Sequence, residues 1–222
     1  IESQQRIKIY NKWLPHVHVD FHEQSINNPY YFAPAAEPLH EKITSFQKKF
    51  QHGLAKNHAK YFDKNRWLYF TKQTFDLLYP SYGDSYPMFL GSIGMTYEQA
   101  GGGKAGLGII NDNYQLLTLK ERIEHHFTTG ISTIEFSLKN KSVLNENFHK
   151  FFFDKKRKYK FYILEGNFDI LNSLKKLLSK HEISFNNISK KQNIKGYDYQ
   201  KEKNTTKTIT ANSLVINTNQ VK

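Results

Sequence analysis

Two residues stand where a sheet could carry polar chemistry. In "HVHVDFHEQ", residues 16–24, Val17, Val19 and Phe21 alternate with His16, His18 and Asp20. That is the period of a strand, predicted over 16–21, and His22 follows it directly. Glu98 stands in the same relation to "MFLGSIGMTYE", 88–98, which reads as a buried strand. Ligands of open α/β sheets bind in the crevice outside the carboxyl ends of the strands, so the two groups could converge on one cleft. A His with a Glu suggests metal-assisted hydrolysis, in which neutral imidazole holds zinc and a carboxylate takes a proton from water. The competing reading of His22 is an ordinary polar loop residue.

Standard metal and nucleophile patterns do not decide the matter. "HEQSI" and "HEKIT" lack the second His of H-E-x-x-H, and His-x-x-Glu occurs nowhere. His16 and His18 share a strand face and read as structural. His125-His126 falls inside a helix, facing two directions, and reads as packing and surface. "GGGKAG", 101–106, has Ala after its Lys where a phosphate loop needs Ser or Thr, so it reads as a flexible loop beside a cleft. Ser81 and Ser92 lack a nucleophile-elbow context.

The elements that must position these groups come from periodicity and turn chemistry. Residues 3–14 read as the end of a helix that Pro15 stops. Pro29, Pro34 and Pro38 break up a long aromatic-rich loop, read as a wall of the cleft. A helical pattern follows from Glu37 to about Phe62, with Ile43, Phe46, Phe50 and Leu54 on one stripe. Residues 67–79 are mixed and predicted to end in a short helix. "YPSYGDSYP", 79–87, is a turn-rich loop. Thr118 and Glu121 make a capping box that opens a helix through about 139, with Ile123, Phe127, Ile131 and Ile134 as its apolar stripe. A second helix covers 143–153. After Lys160 the pattern restarts: "KFYIL" as a strand, Phe168–His181 as a Leu-rich helix, then "ISFNNI", "TKTITA" and "SLVIN" as strands. The boundary is placed at about 154–158, giving units 1–154 and 158–222.

Composition narrows the partners. The 222 residues hold no cysteine, which excludes disulfides and thiolate chemistry. No apolar stretch approaches the ~18–20 residues of a membrane span. The net charge of +12 comes from 28 Lys and 4 Arg, scattered along the chain. Phosphate recognition favours Arg forks as well, so the lysines read as a solvated surface and no specific nucleic-acid partner is expected. "KKRKYK", 155–160, is the one dense cluster, and it lies where a linker is expected. The chain opens at Ile1 and closes just past "SLVIN"; both ends read as cuts in a longer protein.

Four blocks, "VDFHEQSINNPYYFAPAAEP", "AKYFDKNRWLYFTKQTFDLLYPSYGDSYP", "GSIGMTYEQAGG" and "LTLKERIEHHFTTGISTIE", together resemble the zinc carboxypeptidases of the carboxypeptidase A type, in that family's order and over roughly 1–140. The likeness is to a large exported bacterial branch. It implies an α/β fold with a mixed central sheet flanked by helices, here the C-terminal half of a zinc-peptidase domain, followed by the start of a second α/β domain. It also implies one catalytic Zn2+, a peptide or peptide-like substrate, and a secreted or periplasmic location. By the resemblance His22 matches the last zinc-binding His and Glu98 the carboxylate that serves as general base. Tyr82 matches the substrate-capping Tyr, with Tyr79 and Tyr86 as rivals. Gly83 and Asp84 fall near the pocket for the terminal side chain of the substrate.

The first two zinc ligands of that family, a His-x-x-Glu, and its carboxylate-gripping Arg positions are missing; Arg6, Arg66, Arg122 and Arg157 sit in no matching context. One imidazole does not make a catalytic zinc site, which takes three protein ligands and water. The chain alone is therefore expected to be inactive and to bind zinc poorly. An amidase or deacylase for N-acyl amino acids or peptidoglycan peptides on the same scaffold, and a noncatalytic binding module, are the alternatives.

Overall fold

A computed structural model describes residues 2–153, 157–211 and 213–220. In chain order it contains α1 (Glu2–Trp13), β1 (Val17–Gln24), β2 (Tyr30–Tyr31), α2 (Ser45–Asn65), β3 (Tyr69–Phe70), α3 (Ser85–Met88), β4 (Ile93–Ala100), β5 (Gly108–Ile110), β6 (Leu116–Thr118), α4 (Leu119–Lys139) and α5 (Lys141–Phe153). There follow β7 (Phe161–Leu164), α6 (Phe168–Lys180), β8 (Asn186–Asn187), β9 (Gln192–Asp198), β10 (Lys203–Ile209) and β11 (Leu214–Asn217). The chain is thus α/β. Contacts group it into Pro15–Phe151 and, separately, the described parts of Ile1–Leu14 and Phe152–Lys222. The expected boundary region includes residues 154–156, which lie outside the described residues, as do Lys155 and Lys156 of the basic cluster. α1, read from sequence as part of the first unit, makes its contacts in the second, where Asn11 Nδ2 donates to the Lys180 carbonyl at 3.2 Å.

The first unit is built on a four-stranded mixed sheet of order β1-β4-β2-β3. β1 runs parallel to β4, β2 antiparallel to β4, and β3 parallel to β2. Ile93, Met95 and Tyr97 of β4 pack against Phe50, Leu54 and Phe62 of α2 and Phe136 of α4. Val17 and Val19 join them from β1, as the alternation requires. β4 is buried at every position, since it has a strand on each side and packed structure on both faces.

In the aromatic-rich segment after β1, Tyr30 and Phe32 belong to the core, while Tyr31 turns to the opposite face of the sheet. Tyr30, Tyr31 and Phe32 are at most 2% exposed, and β2 is an inner strand of the sheet. α2 begins eight residues later than its pattern suggests, at Ser45, where Thr44 and Gln47 form a reciprocal capping box. β4 begins at Ile93, because residues 85–88 turn as α3. Residues 67–79 hold β3 and no helix.

α4 starts at the predicted capping box: Thr118 accepts from the Glu121 N–H, and the Glu121 side chain accepts from the Thr118 N–H. The apolar stripe of its sequence faces outward. Ile123, Phe127, Ile131 and Ile134 are exposed, while Thr129, Ser132 and Thr133 are buried. The inward polar face is needed because the sheet and α2 present buried polar groups that require partners. His58 bonds Ser132 Oγ through Nδ1 and the Tyr97 hydroxyl through Nε2, each at 2.8 Å. The Tyr97 hydroxyl also meets Thr133 Oγ1 at 2.7 Å, and Asn57 Nδ2 donates to Ser132 Oγ at 2.8 Å.

In the second unit, α6 lays Leu171 and Leu178 on Leu214 of β11, with Leu164 of β7 beside them. The sheet order is β7-β11-β8, antiparallel throughout, and β9 with β10 forms a separate hairpin. "ISFNNI" contributes only the two residues of β8, and β9 was not foreseen, because its sequence "QNIKGYD" is polar and lacks a clean alternation.

Candidate active site

The parallel register of β1 and β4 sets Asp20 opposite Thr96 and His22 opposite Glu98. Side chains of register partners leave a sheet on the same side. His22 and Glu98 are therefore side by side, on the face opposite the one that packs on α2 and α4. His22 lies within β1 rather than after it, because the pairing continues to Gln24 and Ala100. On the same face, Tyr31 of β2 is the antiparallel partner of Glu98.

Residues 83–88 cover this face at its start. A Cβ on Gly94 would clash with the Asp84 carbonyl, and one on Gly83 with the Asp20 carboxylate. Glycine at both positions is what lets the segment approach the sheet so closely. Asp84 is thereby buried at 8% exposure and joins Asp20 and Glu98 in one carboxylate group.

The electrostatics follow from that crowding. Burial pushes the Asp84 carboxyl up to about 6, with the Asp20 charge adding to the rise and nearby hydrogen bonds opposing it. Glu98, 6% exposed, is also raised, first by burial. The His22 ring pulls it back, and Asp20 and Asp84 push it further. Burial, then the charges of Asp84, Glu98 and Asp76, raise the Tyr31 hydroxyl well above the ordinary tyrosine value. A carboxyl whose proton affinity is raised is better suited to proton transfer near neutrality than an ordinary one.

His22 has a half-exposed side chain, and its Nε2 lies 3.1 Å from Asp20 Oδ2. A carboxylate on one ring nitrogen orients the ring and leaves the other, Nδ1, to act as a donor to a metal or substrate. The ring of His126 hydrogen-bonds the His22 backbone and packs edge to face on Phe21 at 5.1 Å, fixing this end of β1 from α4. His125 and His126 both turn inward, as packing residues, and neither faces solvent as its surface reading expected. His125 Nδ1 meets Gln99 Oε1 at 2.7 Å and His126 Nδ1 meets the Tyr30 hydroxyl at 2.8 Å. His16 stacks on Phe148 at 4.1 Å.

Glu23 points to the other face and pairs with Arg122, which also donates to the carbonyls of Ala105 and Gly106. The 101–106 segment is thus pinned by that guanidinium at its far end, where Ala105 is buried. Tyr82 and Tyr79 pack edge to face at 5.4 Å, and both rings are more than half exposed. The Tyr86 N–H donates to the Tyr82 carbonyl at 3.0 Å. Tyr31, which the sequence reading did not single out, is the tyrosine in register with Glu98. Asp20 was likewise read only as a strand position, although it lies two residues before His22 on the same alternation.

Among the described residues no group of three or more His, Cys, Asp or Glu is placed to hold a metal ion. His22 suits the role of one ligand, and these residues do not complete a zinc site by themselves. No helix among them is long and apolar enough to cross a membrane. Comparison with models of protein families, with curated proteins and with solved structures returned no match.

Proposed function

We propose that this chain contributes the base and one metal-ligating imidazole of a hydrolase that cleaves peptide or peptide-like amide bonds, of the zinc carboxypeptidase type. The reading is supported most by the register that seats Glu98 beside His22, with Asp20 holding the far side of the imidazole. Zinc at His22 would polarise a carbonyl and a water molecule, and it would require ligands from protein outside the described residues. Glu98 takes the proton of the attacking water and returns it to the leaving amine. Its burial beside two further carboxyls raises its proton affinity, which favours its protonated form between the two steps. Asp20 orients His22. Asp84, against Gly83, sets the polarity of the adjoining wall. The resemblance further implies an exported protein acting outside the cytoplasm.

The reading makes a direct demand on the isolated 222 residues: they hydrolyse no peptide and take up zinc weakly. Zinc titration by calorimetry tests this. A tight one-to-one site in the isolated chain would sink the two-part arrangement. In the full-length protein, blocked and free C-terminal substrates separate an exopeptidase, which requires the free carboxylate, from an amidase, which does not.

A further inference from the structure

The second unit has a cleft of about 550 Å³ between β7 and the β9–β10 hairpin. Its volume is in the range of sites that bind small molecules and short peptides. From the hairpin, alternate residues of β10, Thr205, Lys207 and Ile209, and consecutive residues of β9, 194 to 198, reach it. From the β7 side every residue from 158 to 165 reaches it, so that strand offers its edge.

That edge has no partner strand among the described residues. β7 pairs with β11 on one side only. The Thr218 N–H donates to the Lys160 carbonyl at 3.0 Å, opposite it in register, so residues 160, 162 and 164 turn their backbone groups to β11. The backbone groups of Phe161 and Ile163 therefore point to the other edge, into the cleft. Four residues at about 3.3 Å each give a paired length of roughly 13 Å.

The walls select for charge and shape. Lys158, Lys160, Lys195 and Lys207 line the cleft against two carboxylates, Glu165 and Asp198. Lys207 is paired with Glu165 at 2.6 Å, which leaves three lysines facing one acid. Asp198 Oδ1 accepts from the N–H groups of Gln200 and Lys201. Tyr159 and Tyr162 pack edge to face at 5.9 Å, and Tyr197 and Tyr199 at 5.2 Å. Rings engaged in this way present edges and hydroxyls rather than open parallel platforms for bases.

We propose that this cleft binds an acidic peptide in extended form, which adds as a strand to the free edge of β7 with its carboxylates against Lys158, Lys160 and Lys195. Backbone pairing supplies the affinity and the lysines select the sequence. The site shares no residue with the His22–Glu98 pair, and the proposal is independent of the function proposed for that pair.

Fluorescence anisotropy on the intact 222-residue chain tests the proposal with four labelled probes: an alternating Glu–Val hexapeptide, its Lys–Val counterpart, a Glu–Pro version and a thymidine oligonucleotide. The Glu–Val peptide binds saturably. The Lys–Val and Glu–Pro peptides bind at least about tenfold more weakly, the second because proline has no N–H to pair. The Lys160→Glu/Lys195→Glu double variant, its fold checked by circular dichroism, loses a similar factor for the Glu–Val peptide. In amide NMR spectra of the wild type, the signals of Phe161 and Ile163 shift on titration with that peptide. Equal binding of the Glu–Val and Glu–Pro peptides, tighter binding of the oligonucleotide, or no peptide binding overturns the proposal.

Discussion

His22 and Glu98 are Cα partners in the parallel β1–β4 pair, so an imidazole and a buried carboxyl 76 positions apart in sequence leave the sheet side by side. Asp20, two residues before His22 on the same strand face, holds the imidazole at 3.1 Å. If this is half of a metal site, Asp20→Asn in the full-length protein weakens zinc affinity by about 10–100-fold, the usual effect of removing a carboxylate behind a ligating His. Competition with a chelating dye measures it, and unchanged affinity contradicts the positioning role.

Asp84 carries a burial-raised carboxyl with a value of about 6. Ionising it costs the folded state stability above that pH, and the cost disappears as the pH falls and the folded carboxyl protonates ahead of the unfolded one. Asp84→Asn is therefore stabilising relative to wild type at pH 8, on the order of 2 kcal/mol. The advantage shrinks between pH 6 and 4. Urea unfolding of both proteins across that range reads the difference.

The buried histidines act with the opposite sign. Burial pushes His58 down to about 3. The unfolded chain takes up a proton near 6.5 and the folded chain does not, so the stability that neutral His58 contributes is present above 6.5 and is lost as the pH falls toward 3. His58→Gln removes this dependence. The stability gap between wild type and variant should narrow by about 1.4 kcal/mol per pH unit below 6.5. A gap that stays constant with pH would contradict a neutral buried His58.

α4 separates stability from hydrophobicity. Ser132→Ala strips partners from His58 and Asn57 and should cost about 1–3 kcal/mol. Phe127→Lys, on the exposed stripe, should change stability by no more than about 0.5 kcal/mol despite the loss of a large apolar ring. Chemical denaturation of the two variants ranks them, and the reverse order would mean that α4 is turned the other way.

These contrasts show where the sequence was readable. The α4 capping box and the α2 stripe at Phe50 and Leu54 were legible because they depend on residues three and four apart. The face on which α4 packs was not, since it is decided by His58 and Tyr97, which lie far away in sequence and need hydroxyl partners. The strands that carry His22 and Glu98 were legible because alternation marks the first and a largely apolar run the second. Tyr31 was hidden in a two-residue strand between prolines, whose place in the sheet depends on β3 and β4. The start of β4 was misplaced for a related reason. Met88 to Ser92 are apolar enough for a strand, yet the Met88 and Ser92 carbonyls instead accept from the Gln47 side chain of α2.

The role given to Glu98 meets its most direct test in the zinc-loaded enzyme with its complete ligand set. Peptide turnover and bound zinc are measured for wild type, Glu98→Gln and His22→Ala. As general base, Glu98 should contribute about 10²–10⁴-fold, so Glu98→Gln keeps its zinc and loses turnover by that factor. His22→Ala loses both. Turnover of Glu98→Gln equal to that of wild type would contradict the account.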